Sequence, residues 1–162
     1  MSKINGIYAA SVSVLDKELN LDVDKTIKHA ENLILQGCHG VVIFGSTGQA
    51  QLISVAEKIK LIERLSKNKF KNNFIIGTGF NSLKETISFL NVCKNFNFKN
   101  FLIMPPAYYV YADNDAIKFY SEIIKIHPWC KIVLYNFEKL CGYKFSVECV
   151  EELVKIYPDQ II

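Results

Sequence analysis

Short apolar runs alternate with amphipathic stretches, polar and glycine residues gather where the runs end, and a dinucleotide fingerprint is missing. Together these predict one fold class: α/β, an incomplete (β/α)8 TIM barrel of about five and a half β/α units. The candidate strands lie at 6–13, 40–45, 74–77, 100–104, 131–135 and 160–162. Each is a continuous apolar run, as expected of parallel strands buried on both faces. Between them, helical patterns fall at 23–36, 55–67, 83–95, 115–127 and 147–156. Ser54 with Glu57 and Ser82 with Glu85 match the S-x-x-E capping box, in which side chains satisfy the first free amides of a helix.

A doubly wound sheet is the competing architecture. Gly45-Ser46-Thr47-Gly48 follows the second strand instead of the first and has no G-x-G-x-x-G form, which favours the barrel. A full barrel takes about 250 residues. No linker, low-complexity tract or composition shift divides residues 1–162, so they read as the N-terminal part of one barrel domain whose C-terminal part is absent. The last run, 160–162, reads as a strand cut off before its far end.

The composition, 50% hydrophobic and 22% charged, is that of a globular chain. A net charge of +3, lysines spread along the chain and a single arginine, Arg64, argue against nucleic acid and for a solvated, slightly basic surface. No apolar run approaches the ~18 residues that span a membrane. Five cysteines without a C-x-x-C pair, and no signal peptide at Met1-Ser2-Lys3-Ile4, indicate a reducing, cytoplasmic setting. His29, His39 and His127 are too scattered for metal-ligand spacing and read as structural. No metal or other cofactor is expected.

Chemistry concentrates at the strand tips. In Gly45-Ser46-Thr47-Gly48-Gln49, two glycines permit a tight turn while adjacent hydroxyls and amides face one way, which suits a carboxylate; an ordinary turn is the plainer alternative. Gly77-Thr78-Gly79 reads as a place of close backbone packing at the barrel rim. Pro105-Pro106-Ala107-Tyr108-Tyr109 offers two phenols that serve packing or an interface. Tyr135 closes the fifth strand, where a phenol can pass protons if a hydroxyl such as Thr47 supports it, because its free pKa is about 10.

Taken together these motifs resemble the dihydrodipicolinate synthase / N-acetylneuraminate lyase family of class I, Schiff-base aldolases. The resemblance runs along the whole chain. Gly6-Ile7-Tyr8-Ala9-Ala10-Ser11-Val12 looks like the opening strand, and Gly40 to Gly48 looks like the strand leading into the G-[ST]-T-G carboxylate loop. Ile76-Gly77-Thr78-Gly79 resembles the third-strand motif, and Leu134-Tyr135-Asn136 followed by Gly142 the fifth. The resemblance implies a (β/α)8 barrel, assembled as dimers or tetramers, that forms a Schiff base between a sixth-strand lysine and pyruvate or another 2-oxo acid. It implies Ser46, Thr47 and Gly48 as the substrate-binding loop and Tyr135 as the proton-transferring phenol. Thr47 would link Tyr135 to a tyrosine lent by the neighbouring subunit, Tyr108 in preference to Tyr109.

Several departures from the family pattern shape the expectation. The nucleophilic lysine of the family follows the terminal Ile-Ile by roughly three residues, so the chain is expected to be inactive alone. Lys139 is the internal candidate nearest the right rim, on what reads as a loop, and Lys131 lies at the wrong end of its strand. Gln49 stands where Glu is usual, Val14 and Glu138 replace prolines, and no arginine lies in 138–142 to hold a second carboxylate. The sugar-acid or 2-oxo acid aldolase branch fits better than the synthase branch. The expected partners are a small 2-oxo acid such as pyruvate and further copies of the chain or a separate C-terminal half. A non-catalytic 2-oxo acid-binding or interaction module is the alternative.

Overall fold

The computed structural model describes residues 4–162; Met1, Ser2 and Lys3, with which the reading of an absent leader began, lie outside the described residues. Five strands form one parallel sheet in the order of the sequence: β1 (Tyr8–Ala10), β2 (Gly40–Ile43), β3 (Phe74–Gly77), β4 (Asn100–Ile103) and β5 (Lys131–Leu134). Tyr8 pairs with Gly40, Val41 with Phe74, Ile76 with Phe101 and Asn100 with Lys131. A doubly wound sheet reverses its order at a switch point. This one never does, so its winding is that of a barrel.

The connecting helices are α1 (Val23–Leu35), α2 (Val55–Leu65), α3 (Leu83–Asn95), α4 (Asp113–Ile126), a single turn α5 (Glu138–Cys141) and α6 (Val147–Ile156). Successive helices touch in series, α1 to α2, α2 to α3, α3 to α4 and α4 to α6, and so form one outer layer. Strand residues that face it are buried: Val41, Ile43, Phe101, Ile103 and Ile132. Val42, Leu102 and Val133 alternate with these, are half-buried, and face what would be the barrel interior.

Each helix buries one stripe at three- and four-residue spacing, as in Thr86, Phe89, Leu90 and Cys93 of α3. On α2 the stripe is Lys58, Leu61, Ile62 and Leu65, so a lysine occupies a core position. The expectation that the lysines coat the surface fails there. The Ser54–Glu57 capping box is complete. At α3 only half of the expected box forms: Ser82 accepts from the Glu85 amide, and no return bond is made. Asp22 and Ser146 cap α1 and α6 in the same way, without an acid three residues on.

Two further expectations change. Lys139 lies in α5 rather than on a loop, because the turn closes through Gly142 N–H donating to the Glu138 carbonyl at 2.8 Å. Residues 160–162 do not form a full strand. Ile161 makes a single parallel bridge to Ile132, with Ile132 N–H donating to Gln160 and Ile162 N–H donating to Ile132. Among the described residues, no helix is long and apolar enough to cross a membrane. All five cysteines are free thiols.

Candidate active site

The site is built at the C-terminal ends of the strands. Directly after β2, Phe44 adopts φ +56°, which turns the chain away from the sheet axis. Gln49 N–H then donates to Ser46 O at 2.9 Å and Ala50 N–H to Gly45 O at 3.2 Å, closing a compact turn. Gly48 lies tight against the first strand's end, since a Cβ there would stand 3.0 Å from Ser11 O. The Ser13 hydroxyl donates to Gly48 O at 2.6 Å and fixes the turn from the same side. Among the described residues, the N–H groups of Ser46, Thr47 and Gly48 donate to no acceptor. Successive free amides at a turn make a concave partial positive charge that receives an oxyanion.

Beside this turn is a cavity of ≈ 270 Å³, whose lining includes Ser46, Gln49 and Tyr135. Leu102, Met104 and the exposed Leu52 and Leu140 also line it, and among the described residues every lining residue is uncharged. Tyr135 N–H donates to Ile103 O at 3.1 Å, holding the residue in line with β5. Its phenolic oxygen is buried and has no hydrogen-bond partner. The bond to Thr47 that the sequence suggested is therefore not made, and the exposed Thr47 and buried Gly48 lie beside the cavity rather than on its lining.

The glycines of β3 explain how two tips come so close. A Cβ on Gly77 would stand 2.0 Å from Phe44 O, and one on Gly79 would stand 2.4 Å from the Ala50 Cβ. The expected close backbone packing at Gly77-Thr78-Gly79 is thus present. Tyr108 and Tyr109 are not part of the cavity lining; they are 89% and 71% exposed, with rings edge to face at 5.2 Å. Asn81 Oδ1 accepts from Ala107 N–H at 2.9 Å and ties their segment to the end of β3. Behind it, Asp113 accepts from the Tyr143 and Ser146 hydroxyls, joining the starts of α4 and α6, and these bonds hold its carboxyl below the usual range.

Among the described residues, no lysine lines the cavity. Lys139 is outside it, and Lys131 Nζ donates to the Asp159 carbonyl at the opposite end of β5. Among the described residues, the one lysine with a lowered pKa is Lys58, brought to about 8 chiefly by burial, with the Glu85 carboxylate opposing the shift. It is fully buried behind the cavity wall, and its ammonium donates to Thr78 O at 2.7 Å. Sequence reasoning passed over it, although a lysine in register with an apolar stripe is a visible signal.

A parallel, singly wound β/α sheet that gathers a turn of free amides and an unpaired phenol at its strand tips is the arrangement of a barrel fold, whose strand tips are where a site is sought. Residues 3–161 match the model of the Dihydrodipicolinate synthetase family, and the chain belongs to that family. It is 28% identical over 153 residues to a 4-hydroxy-tetrahydrodipicolinate synthase of Methanospirillum hungatei, covering 93% of this chain and 52% of the relative. It is 27% identical over 154 residues to an N-acetylneuraminate lyase of Salmonella paratyphi B, covering 94% and 52%. The chain thus spans about half the length of the curated relatives it matches. Among solved structures, the Escherichia coli K12 prophage protein YagE, in complex with pyruvate, superposes with a TM-score of 0.85 at 20% identity, covering 97% of this chain and 53% of YagE.

Proposed function

We propose that residues 1–162 carry the 2-oxo acid-binding part of a class I aldolase site, at which a C–C bond is cleaved or formed through a Schiff base. The observation that carries this reading is one uncharged cavity lined both by Ser46, the first residue of a turn with three free amides, and by Tyr135, a buried phenol that lacks a partner. The amides of Ser46, Thr47 and Gly48 receive the carboxylate of pyruvate or a similar 2-oxo acid. Tyr135 then stands over the reacting carbon and passes the proton, and the ligand or Thr47 supplies the hydrogen bond it lacks. Tyr108, displayed outward with φ +84°, reaches the same relay in a neighbouring copy. Pyruvate bound by YagE supports the ligand class.

A Schiff base needs an amine held at the substrate carbonyl in a dry pocket. Neither Lys58 nor Lys139 meets that need, so the amine comes from polypeptide outside these residues, such as a separate C-terminal half, and the 162 residues alone are inactive. The test is a pyruvate titration by NMR, paired with borohydride trapping read by intact mass. We expect saturable binding, no covalent adduct, and about tenfold weaker binding in Gly48→Ala, equivalent to ~1.4 kcal/mol. Absence of binding would overturn the reading, and an adduct mapped to Lys139 would overturn the external amine.

A further inference from the structure

We infer that Lys58 is a positioning residue, whose buried ammonium holds the tips of β2 and β3 together and so keeps the oxyanion-receiving turn in shape. This rests on the reading that the Ser46–Gly48 turn is the binding turn. Lys58 stands on α2, outside the cavity, yet its Nζ reaches both tips. It donates to Thr78 O at 2.7 Å, directly after β3. It lies 4.0 Å from the centre of the Phe80 ring and 5.7 Å from that of Phe44, directly after β2. An ammonium over aromatic faces in a dry setting attracts them strongly.

Each of the three groups it touches is next to a residue that shapes the cavity. Phe44 lines the cavity itself and precedes Gly45-Ser46. A bulky residue keeps a φ of +56° only where its surroundings hold it there. Thr78 and Phe80 flank Gly79, which packs on Ala50. The Thr78 hydroxyl is buried without a partner, so the ammonium's bond to the carbonyl is the polar tie on the helix side of that residue.

A purely apolar side chain of the same length would fill the space but could not draw the two rings and the carbonyl to one point. The other charged group acting on Lys58 is Glu85 of α3, whose carboxylate favours the ammonium. The positioning role is carried by this geometry, the bond to Thr78 O and the two ring contacts.

Hydrogen exchange of the ligand-free chain, read on peptides 44–50 and 78–81, tests this without any substrate. In Lys58→Met we expect exchange about tenfold faster at both tips, with the α4 peptide 119–124 unchanged. Lys58→Arg, which keeps a cation and an N–H donor at that position, retains more of the protection than Lys58→Met. Unchanged tips in Lys58→Met, or tips loosened as much in Lys58→Arg as in Lys58→Met, would overturn the inference. If Lys58→Met does not fold, Lys58→Gln, which keeps an N–H donor without the charge, is read in its place against Lys58→Arg, with the same two outcomes deciding. Pyruvate binding is measured alongside. Its absence removes the proposed function, whereas exchange at the two tips still decides whether Lys58 holds them.

Discussion

Replacing Gly77 by alanine isolates the close approach of the β2 and β3 tips from every other property of that residue. Its φ lies outside the left-handed region, so alanine meets no conformational penalty and would by itself stabilise the chain by about 0.4–1 kcal/mol through the unfolded state. The added Cβ, however, would stand 2.0 Å from Phe44 O, 2.5 Å from Phe44 C and 2.9 Å from Ile43 O. All three are backbone atoms, which no rotamer change can move. Separation to at least 3.0 Å requires the tips to part by roughly an ångström. Overpacking of this kind costs about 1–3 kcal/mol, so a net loss of about 1–2 kcal/mol is expected. Gly142→Ala is the matched control, because nothing lies within 4 Å of its Cβ and only its φ of +67° opposes substitution. That costs about 1 kcal/mol. Urea unfolding followed by the fluorescence of Trp129, the single tryptophan, gives both values. Gly77→Ala should also weaken pyruvate binding while Gly142→Ala preserves it. A Gly77→Ala chain as stable as the parent, with unchanged binding, would refute the claim that the two tips depend on that contact.

Lys58 has its folded-state pKa lowered from 10.5 to about 8, so between those values the unfolded chain binds more protons and stability rises with pH. The stability difference between the parent and Lys58→Met should move in the parent's favour by about 2–3 kcal/mol from pH 7.5 to 10.5, read by urea unfolding; a constant difference would contradict it. His127 is buried, bonded to Ile87 O and near Lys94, and burial holds its pKa below 6.5. The unfolded chain therefore takes up the extra proton as pH falls below 6.5, and His127→Gln should show a smaller loss of stability over pH 6.5 to 5 than the parent. Tyr135→Phe removes a buried hydroxyl that has no partner, and the expected result is unchanged or slightly higher stability, by up to about 1 kcal/mol. Ser54→Ala breaks a complete capping box and should cost about 1 kcal/mol by the same unfolding assay.

The alternation of apolar runs and amphipathic stretches made the β/α order legible, because parallel strands buried on both faces leave continuous hydrophobic segments. The turn at Gly45-Ser46-Thr47-Gly48 was legible as a candidate carboxylate site from its residue types alone. Its free amides were not, since they follow from the φ of Phe44, a bulky residue that carries no turn signal. Lys58 escaped for a different reason: charge was read from composition, whereas its burial is decided by phase within the α2 stripe. The joining of Asp113 to Tyr143 and Ser146 spans 30 and 33 residues and has no local pattern to announce it. The caps at Asp22 and Ser146 were missed because the box motif demands an acid at the third position, where Lys25 and Cys149 stand.

The strictly sequential strand order has a consequence for how the chain acquires its structure. Every strand pairs with the one made just before it, as Tyr8 with Gly40 and Asn100 with Lys131, at separations of about thirty residues. Among these five strands, a growing polypeptide emerging N-terminus first thus finds the next partner already exposed, and none of the four pairings waits for a strand synthesised much later. Assembly can advance like courses of brick, each β/α unit laid against a finished edge. The turn after β2 is sealed once β3 and α2 are in place, because Gly77 and Lys58 both belong to that early part. The turn of free amides is accordingly complete before β5 delivers the phenol that shares its cavity.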